Sequence, residues 1–177
     1  DFTVGIPFCD FMKGSAPGPE CSNGGRASTN RLFAATGNHD YNPSDGGPID
    51  NFVDYFNLPG AGTTSVSPTG SDLYYDVRLG PVHLFVIDSD PMEFESRGDT
   101  DDGYADHYDG SPGAIQRQWL EDAVEEADAP WKVVAMHHPP YSSGASYGSH
   151  GFVQWDYDDM GVDLVLAGHH HAYERVE

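Results

Sequence analysis

Histidine-bearing loops that follow short apolar stretches are the feature of this sequence that most restricts its fold. Seven of the nine histidines fall in four short segments, at 37–40, 137–140, 150 and 168–171. Three of these segments follow apolar stretches that we predict to be strands, at 32–36, 131–136 and 162–167. The ends of strands are where α/β proteins build their sites, and imidazole is the commonest metal ligand near neutral pH. The sequence therefore predicts an α/β protein whose histidines cluster at strand ends.

The rest of the chain alternates strands with helices, which also indicates an α/β sheet protein. Residues 73–79 and 82–88 look like two strands around a Gly-Pro turn. A helix is predicted to begin with Ser111 as its N-cap and Pro112 as its first residue, and to be stopped by Pro130. Its apolar residues recur at helical spacing, and we take the stripe of Ile115, Trp119, Ala123 and Ala127 as its buried face, with Leu120 and Val124 beside it.

Shorter elements complete the predicted organisation. We expect short helices at 49–56 and 152–160, and buried strands at both 131–136 and 162–167. Residues 1–31 are rich in Gly, Pro and Ser and are predicted to form an irregular lead-in. The sequence shows no internal repeat and no sign of a second domain, so 1–177 is predicted to be a single domain.

Charge excludes two classes of partner. The chain has 29 acidic against 8 basic residues, a formal net charge of −21. Nucleic-acid surfaces require Lys and Arg to neutralise phosphates, and anionic membranes attract basic segments, so neither is expected as a general partner. No apolar run approaches the roughly 20 residues that span a bilayer. Dense carboxylates keep a surface hydrated, which favours a secreted protein or one adapted to high salt.

Two cysteines leave two alternatives open. Cys9 and Cys21 flank a Gly- and Pro-rich stretch of eleven residues. One local disulfide is sterically reasonable, and it would contribute roughly 3 kcal/mol by restricting the unfolded chain. Two free thiols are the alternative.

Not every histidine is expected to be functional. A single polar histidine in a loop or on a strand is usually structural, and we assign His83 and His107 to that class. Six residues clustered at three strand ends are harder to explain in this way.

Three segments, read together, resemble a known family. The sequences Gly37-Asn38-His39-Asp40, Val134-Ala135-Met136-His137 and Gly168-His169-His170-His171-Ala172-Tyr173-Glu174-Arg175 resemble the last three signature blocks of calcineurin-like metallophosphoesterases. They occur in the family's order, and the last block is similar to the purple acid phosphatase branch in particular. The resemblance covers residues 30–177. It implies an α/β fold of the metallophosphoesterase type, a β-sandwich of mixed sheets flanked by helices.

The resemblance implies a site with two metal ions and a phosphate ester substrate. Carried over, the Asn38 amide oxygen, His137 and His169 would bind one metal, and His171 would bind the other. Two close cations lower the pKa of a water between them, so that a metal-bound hydroxide can attack phosphate mono- or diesters. A mixed nitrogen and oxygen ligand set suits Fe, Zn or Mn.

Substrate contacts are also implied. His39 is similar to the family residue that contacts phosphate or protonates the leaving group, and Asp40 is expected to orient the His39 ring. His150 lies in a stretch that resembles the substrate-side loop, where it would bind phosphate or act as a general acid. His138 and His170 adjoin ligands and are expected to support the site or to line its rim.

The amino-terminal part departs from the family pattern. No Asp-x-His or Asp-x-Gly block precedes the Gly37 segment, and the first βα unit is expected to be missing. Asp1 precedes Asn38 by about the family's separation and is our candidate for the bridging carboxylate; the alternative is an arbitrary terminal residue. In that register Val4 replaces the tyrosine of purple phosphatases. We therefore expect 1–177 to be the carboxy-terminal two-thirds of the domain, with the remainder on an N-terminal piece. The alternative function is a non-catalytic structural or binding subunit of an extracellular assembly.

Overall fold

Four strands form one mixed sheet in a computed structural model that describes residues 5–14, 26–41, 49–60, 72–90, 112–145 and 148–177. The order in the sheet is β1-β2-β3-β4; β1 pairs antiparallel with β2, and the other two pairs are parallel. With helices against it, this sheet confirms the predicted mixed α/β fold. The strands are β1 Tyr75–Leu79, β2 Val82–Val86, β3 Trp131–Ala135 and β4 Leu164–Leu166.

Helices are short, with one exception. The described helices are α1 Gly5–Phe8, α2 Asn38–Tyr41, α3 Asp50–Tyr55, α4 Pro112–Glu126 and α5 Tyr157–Met160, with a 3₁₀ turn at Gly151–Val153. None of them is long and apolar enough to cross a membrane. The short helix predicted at 152–160 is thus divided into the 3₁₀ turn and α5, and α1 lies in the stretch predicted to be irregular.

The β1–β2 hairpin forms where the sequence predicts it. Leu79 pairs with Val82 across a two-residue turn, and Gly80 in that turn has φ 62°, a left-handed conformation that glycine adopts without steric cost. The described β2 ends at Val86, two residues earlier than predicted. The chain then runs on at the end of the sheet through Ile87, whose N–H donates to the Ala135 carbonyl.

Both faces of β2 and β3 are covered. Phe85 and Val134 belong to a core cluster with α4, the 3₁₀ turn and α5. Their neighbours Val86 and Ala135 point the other way, as alternation along a strand requires, and pack with Phe52 of α3. Covered on both sides, β2 and β3 are held in fixed positions, and their carboxyl ends lead directly into the histidine-bearing segments.

The buried face of α4 differs from the predicted stripe by one position. Gln116, Leu120 and Val124 are buried, whereas Ile115 is 43% exposed. Gln116 is polar and was not counted in the stripe. Its side-chain oxygen accepts a hydrogen bond from the Asp88 backbone N–H, whereas its buried Nε2 has no hydrogen-bond partner among the described residues.

Two strand predictions need correction. Residues 32–36 are extended but belong to no strand; the Ala34 carbonyl accepts its bond from the Tyr75 hydroxyl, and the Thr36 hydroxyl donates to Asp88. The segment is therefore fixed by side chains and not by a ladder. β4 was predicted to be buried, but Leu164 and Leu166 are 49% and 50% exposed, because no described element covers the face of β4 on which both lie; Val165, on the opposite face, packs against the core cluster.

Cys9 is buried and disulfide-bonded, which favours the first of the two alternatives, a disulfide, over free thiols. The other cysteine, Cys21, lies outside the described residues, as do Asp1, Val4, His107 and Ser111. His83 behaves as the structural histidine that was predicted. Its Nε2 is 2.7 Å from an Asp76 carboxylate oxygen on the neighbouring strand, and its ring stacks on Phe85.

Candidate metal centre

Parallel strands bring two of the histidine-bearing segments to the same edge of the sheet. β3 leads into His137 and β4 leads into His169. The two exits stay in register beyond the strands, because the Met136 N–H donates to the Leu166 carbonyl and the Gly168 N–H to the His137 carbonyl. Asn38, the first residue of α2, precedes His137 by 99 positions in the chain, and its side chain lies at the same place.

Three donor atoms converge on one point. His137 Nε2 lies 2.9 Å from Asn38 Oδ1 and 3.0 Å from His169 Nδ1. These are the three residues that the sequence assigns to a single metal, and they are up to 131 positions apart in the chain (169 − 38). The structure therefore brings together the ligand set predicted for one metal.

The spacing of these atoms fits a bound transition metal. Two donors that each sit about 2.1 Å from a metal are about 3.0 Å apart at right angles and about 3.4 Å apart at the tetrahedral angle, so separations of 2.9 and 3.0 Å lie close to this range. The set of one amide oxygen and two imidazole nitrogens is neutral and mixed, which suits Zn, Fe or Mn.

The histidine rings are held in the form that binds metals. Burial, followed by the neighbouring charge of His169, lowers the pKa of His137 to about 4, although the nearby Asp40 carboxylate acts in the opposite direction. Burial also lowers the pKa of His169. A ring that is neutral near pH 7 keeps a lone pair on one nitrogen, so neither histidine must lose a proton before it can bind a metal.

Close backbone approach is needed around His137. A Cβ atom on Gly37 would lie only 3.0 Å from Cγ and Nδ1 of the His137 ring, closer than ordinary van der Waals contact. His169 has φ 58°, a left-handed conformation that is uncommon for residues other than glycine. Such strain is typical of functional sites, where the surrounding structure maintains it.

Two further histidines lie beside this donor set. The His138 ring is 4.6 Å from that of His169 and 4.8 Å from that of His150, measured between centroids. Candidate ligand atoms of His137, His138 and His169 all lie within 4.8 Å of one another. Burial lowers the pKa of His138 to about 3, and it also lowers that of His150. His150 Nδ1 lies 3.3 Å from the Pro139 carbonyl, which only accepts, so Nδ1–H is the donor and Nε2 is left for other contacts.

The remaining predicted site residues lie around the edge of the centre. His39 and His171 are exposed, and both are close enough to His169 to act electrostatically on its pKa. His171 makes no side-chain hydrogen bond to another described residue. Asp40 accepts a 2.9 Å bond from the Gly37 N–H and so closes the turn that carries Asn38. Asp1, the candidate bridging carboxylate, falls outside the described residues.

Two buried residues between the ligand segments were not predicted to take part in the site. The Asp88 carboxylate accepts bonds from the hydroxyls of Thr36 and Tyr41, and the Ser89 hydroxyl accepts the backbone N–H groups of His137 and His138. Both are fully buried. The signal available in the sequence was polar residues directly after an apolar strand, in the same position relative to β2 as His137 is to β3.

The last signature segment also fastens the loop that carries His150. The Glu174 carboxylate accepts bonds from the Ser142 hydroxyl and the Ser143 N–H, each at 2.9 Å. The His170 ring lies so close to Gly144 that a Cβ there would be 2.6 Å from it. Arg175 forms an ion pair with the exposed Glu177.

A model of the calcineurin-like phosphoesterase family matches residues 8–173 of this chain, which include every histidine discussed above. The chain belongs to the calcineurin-like phosphoesterase family. This finding confirms the resemblance drawn from the three sequence segments.

Individual relatives point to the same branch. The chain is 32% identical to an uncharacterized protein of Mycobacterium tuberculosis, over 80% of this chain and 27% of the relative. It is 30% identical to purple acid phosphatase 23 of Arabidopsis thaliana, over 79% of this chain and 28% of the relative. Fe(3+)-Zn(2+) purple acid phosphatase 12 of the same plant is 29% identical, over 80% and 28%. The chain thus spans about a quarter of the length of these relatives.

Proposed function

We propose that this protein is a metal-dependent phosphoesterase that hydrolyses phosphate mono- or diesters at a centre of two metal ions. The observation that carries the proposal is the convergence of Asn38 Oδ1 and His169 Nδ1 on His137 Nε2, at 2.9 and 3.0 Å. Family membership supports it, and the name of one relative includes Fe(3+) and Zn(2+). When bound, the metals would activate water and offset the charge of the phosphate.

The residues of the chain would divide the work. Asn38, His137 and His169 would hold one metal, and His171 would hold the second, with Asp1 as the bridging carboxylate. His39 and His150 would contact the phosphate and the leaving group. Asp40 would fix the turn beneath His39 through its bond to Gly37. Because the three described ligands of the first metal are neutral, its charge stays available to an anionic substrate, despite the net charge of −21.

We further propose that the protein acts outside the cell. The disulfide at Cys9 supports this, because disulfides persist in oxidising compartments. The excess of carboxylates would repel an anionic substrate only weakly in a salty medium, where the Debye length is about 8 Å or less.

Metal content and turnover test the proposed function together. The full-length protein, stripped with a chelator and reloaded with Fe, Zn or Mn, is expected to bind two metals and to hydrolyse an aryl phosphate or a bis-aryl phosphate diester. His137→Ala should lose turnover and at least one metal. His83→Gln, which changes a histidine in the hairpin that pairs with Asp76, should lose neither. One metal or none, with no turnover on either ester, would favour the non-catalytic subunit instead.

A further inference from the structure

The two segments that carry Asn38 and His137 are both tied to one dipeptide, Asp88-Ser89, at the end of β2. We propose that Asp88 and Ser89 act as a positioning bracket that sets the separation of Asn38 and His137 and thereby the affinity of the first metal site. The inference rests on the proposed metal centre, and neither residue is proposed as a ligand.

Asp88 holds the Asn38 side of the bracket. Its carboxylate accepts a 2.7 Å bond from the Thr36 hydroxyl and a second, short bond from the Tyr41 hydroxyl. These donors precede Asn38 by two residues and follow it by three, so the turn is held on both sides of the ligand. Asp88 is 0% exposed, and the loss of a partner for a buried carboxylate is costly. The carboxylate therefore restricts where the Asn38 turn can lie.

Ser89 holds the His137 side. Its hydroxyl oxygen accepts the His137 N–H at 3.2 Å and the His138 N–H at 2.9 Å. It also lies 3.2 Å from His138 Nδ1. The backbone of His137 is thus fixed from within the fold, just before the side chain that reaches Asn38. One hydroxyl serves two consecutive N–H groups, which no apolar residue could do.

The bracket itself is anchored to the core. The Asp88 N–H donates to the Gln116 side chain of α4 at 3.0 Å, and Gln116 is 1% exposed. The preceding N–H, of Ile87, donates to the Ala135 carbonyl of β3. The Asp88 carboxylate also accepts a bond of 3.1 Å from the Asp90 N–H, two residues further along the chain. Because adjacent residues of one anchored segment hold both ligand segments, a shift of either changes the distance from Asn38 Oδ1 to His137 Nε2.

Metal affinity tests the bracket independently of turnover. In the full-length protein, Zn²⁺ affinity is measured by competition with a chromophoric chelator, and stability by urea unfolding of the metal-free form. Asp88→Asn and Ser89→Ala are each expected to weaken Zn²⁺ binding about 10- to 100-fold, the range found for groups that orient metal ligands. Tyr41→Phe, which removes one bond to Asp88, should weaken binding less, and should add little in combination with Asp88→Asn.

Asn30→Ala is the matched control, because Asn30 is also a buried polar residue but bonds to Lys13, Leu32 and Pro59. It should lower stability and leave Zn²⁺ affinity unchanged. If the bracket variants behave like Asn30→Ala, the residues are merely structural and the inference is wrong. If Asp88→Asn does not fold, Tyr41→Phe decides. Wild-type protein that binds metal without hydrolysing esters would contradict the proposed function and not the bracket, whereas wild type that binds no metal would contradict both.

Discussion

The two sides of the candidate centre are built differently. On the inner side, the Asn38 turn is held by bonds from its flanking hydroxyls to Asp88, and the His137 N–H donates to Ser89; Asp88 and Ser89 are fully buried. On the outer side, the loop that carries His150 is held by exposed bonds from its serines to Glu174. Buried bonds resist rearrangement because a broken one leaves a polar group without water, whereas water replaces the partner of an exposed bond at little cost.

This difference suits the two tasks proposed for the site. A metal ion requires donor atoms at fixed separations, and the inner side provides them. A substrate enters and leaves, and the outer side, with exposed His39 and His171, lies where it can do so. The inner side therefore suits metal binding, and the outer side suits substrate exchange.

The largest expected effect comes from comparing a leucine of the core with a leucine of β4. Leu120 is 0% exposed in the core cluster beside the inner side, and Leu166 is 50% exposed on β4, which leads to His169. Leu120→Ala should lower the free energy of unfolding by about 2–5 kcal/mol through the cavity that it leaves. Leu166→Ala should cost less than about 1 kcal/mol. Urea unfolding measures the loss of stability in both variants. Equal losses would mean that Leu166 is buried in the full-length protein.

A second comparison uses two glycines near His137. An added Cβ at Gly37 would come within 3.0 Å of the His137 ring, whereas one at Gly168 would remain 3.7 Å away, an ordinary contact. Gly37→Ala should therefore displace the ring and weaken Zn²⁺ binding about tenfold, at the lower end of the range for disturbed ligand orientation. Gly168→Ala should bind Zn²⁺ as the wild type does. Similar Zn²⁺ affinities for the two variants would show that the Asn38 turn and the His137 ring can move apart to admit the added Cβ without loss of metal binding.

Strain at His169 gives a third comparison, between two substitutions of one residue. Both His169→Gly and His169→Ala remove a proposed ligand, but only glycine adopts φ 58° without strain. The metal-free glycine variant is expected to be more stable than the alanine variant by about 1 kcal/mol. Thermal unfolding of both without metal provides the measurement. The same stability for both would indicate that the segment around His169 relaxes out of this conformation.

Sequence patterns predicted those parts of the fold that depend on one segment at a time. The hairpin, α3, α4 and β3 follow from local spacing, whereas the grouping of Asn38, His137 and His169 was implied by the resemblance of three segments to the family's signature blocks. The exposure of β4 was not predictable, because the sequence of an apolar strand does not indicate whether another element packs against each of its faces.

The bracket escaped prediction for a related reason. Asp88 and Ser89 have a role only because β2 lies next to β3 in the sheet, and an order of strands is not written in any one segment. Gln116 was left out of the buried face of α4 because its polarity argues for exposure, until its partner, the Asp88 N–H, is known.

The smallest expected effect concerns Glu174 on the outer side. Hydrogen bonds from Ser143 and Ser142 lower the pKa of this exposed carboxyl group. A lowered pKa means that the bonds are fully present above its ordinary value near 4.5 and are lost as the pH falls through the lowered value.

Glu174→Gln should speed hydrogen exchange of the Ser143 amide near neutral pH. It should leave overall stability almost unchanged, and likewise the exchange of the His137 amide, which is held by Ser89. In the wild type, acidification should speed the Ser143 amide relative to the His137 amide, after correction for intrinsic exchange rates. Parallel changes at both amides would mean that the two sides open together and that their different construction has no dynamic consequence.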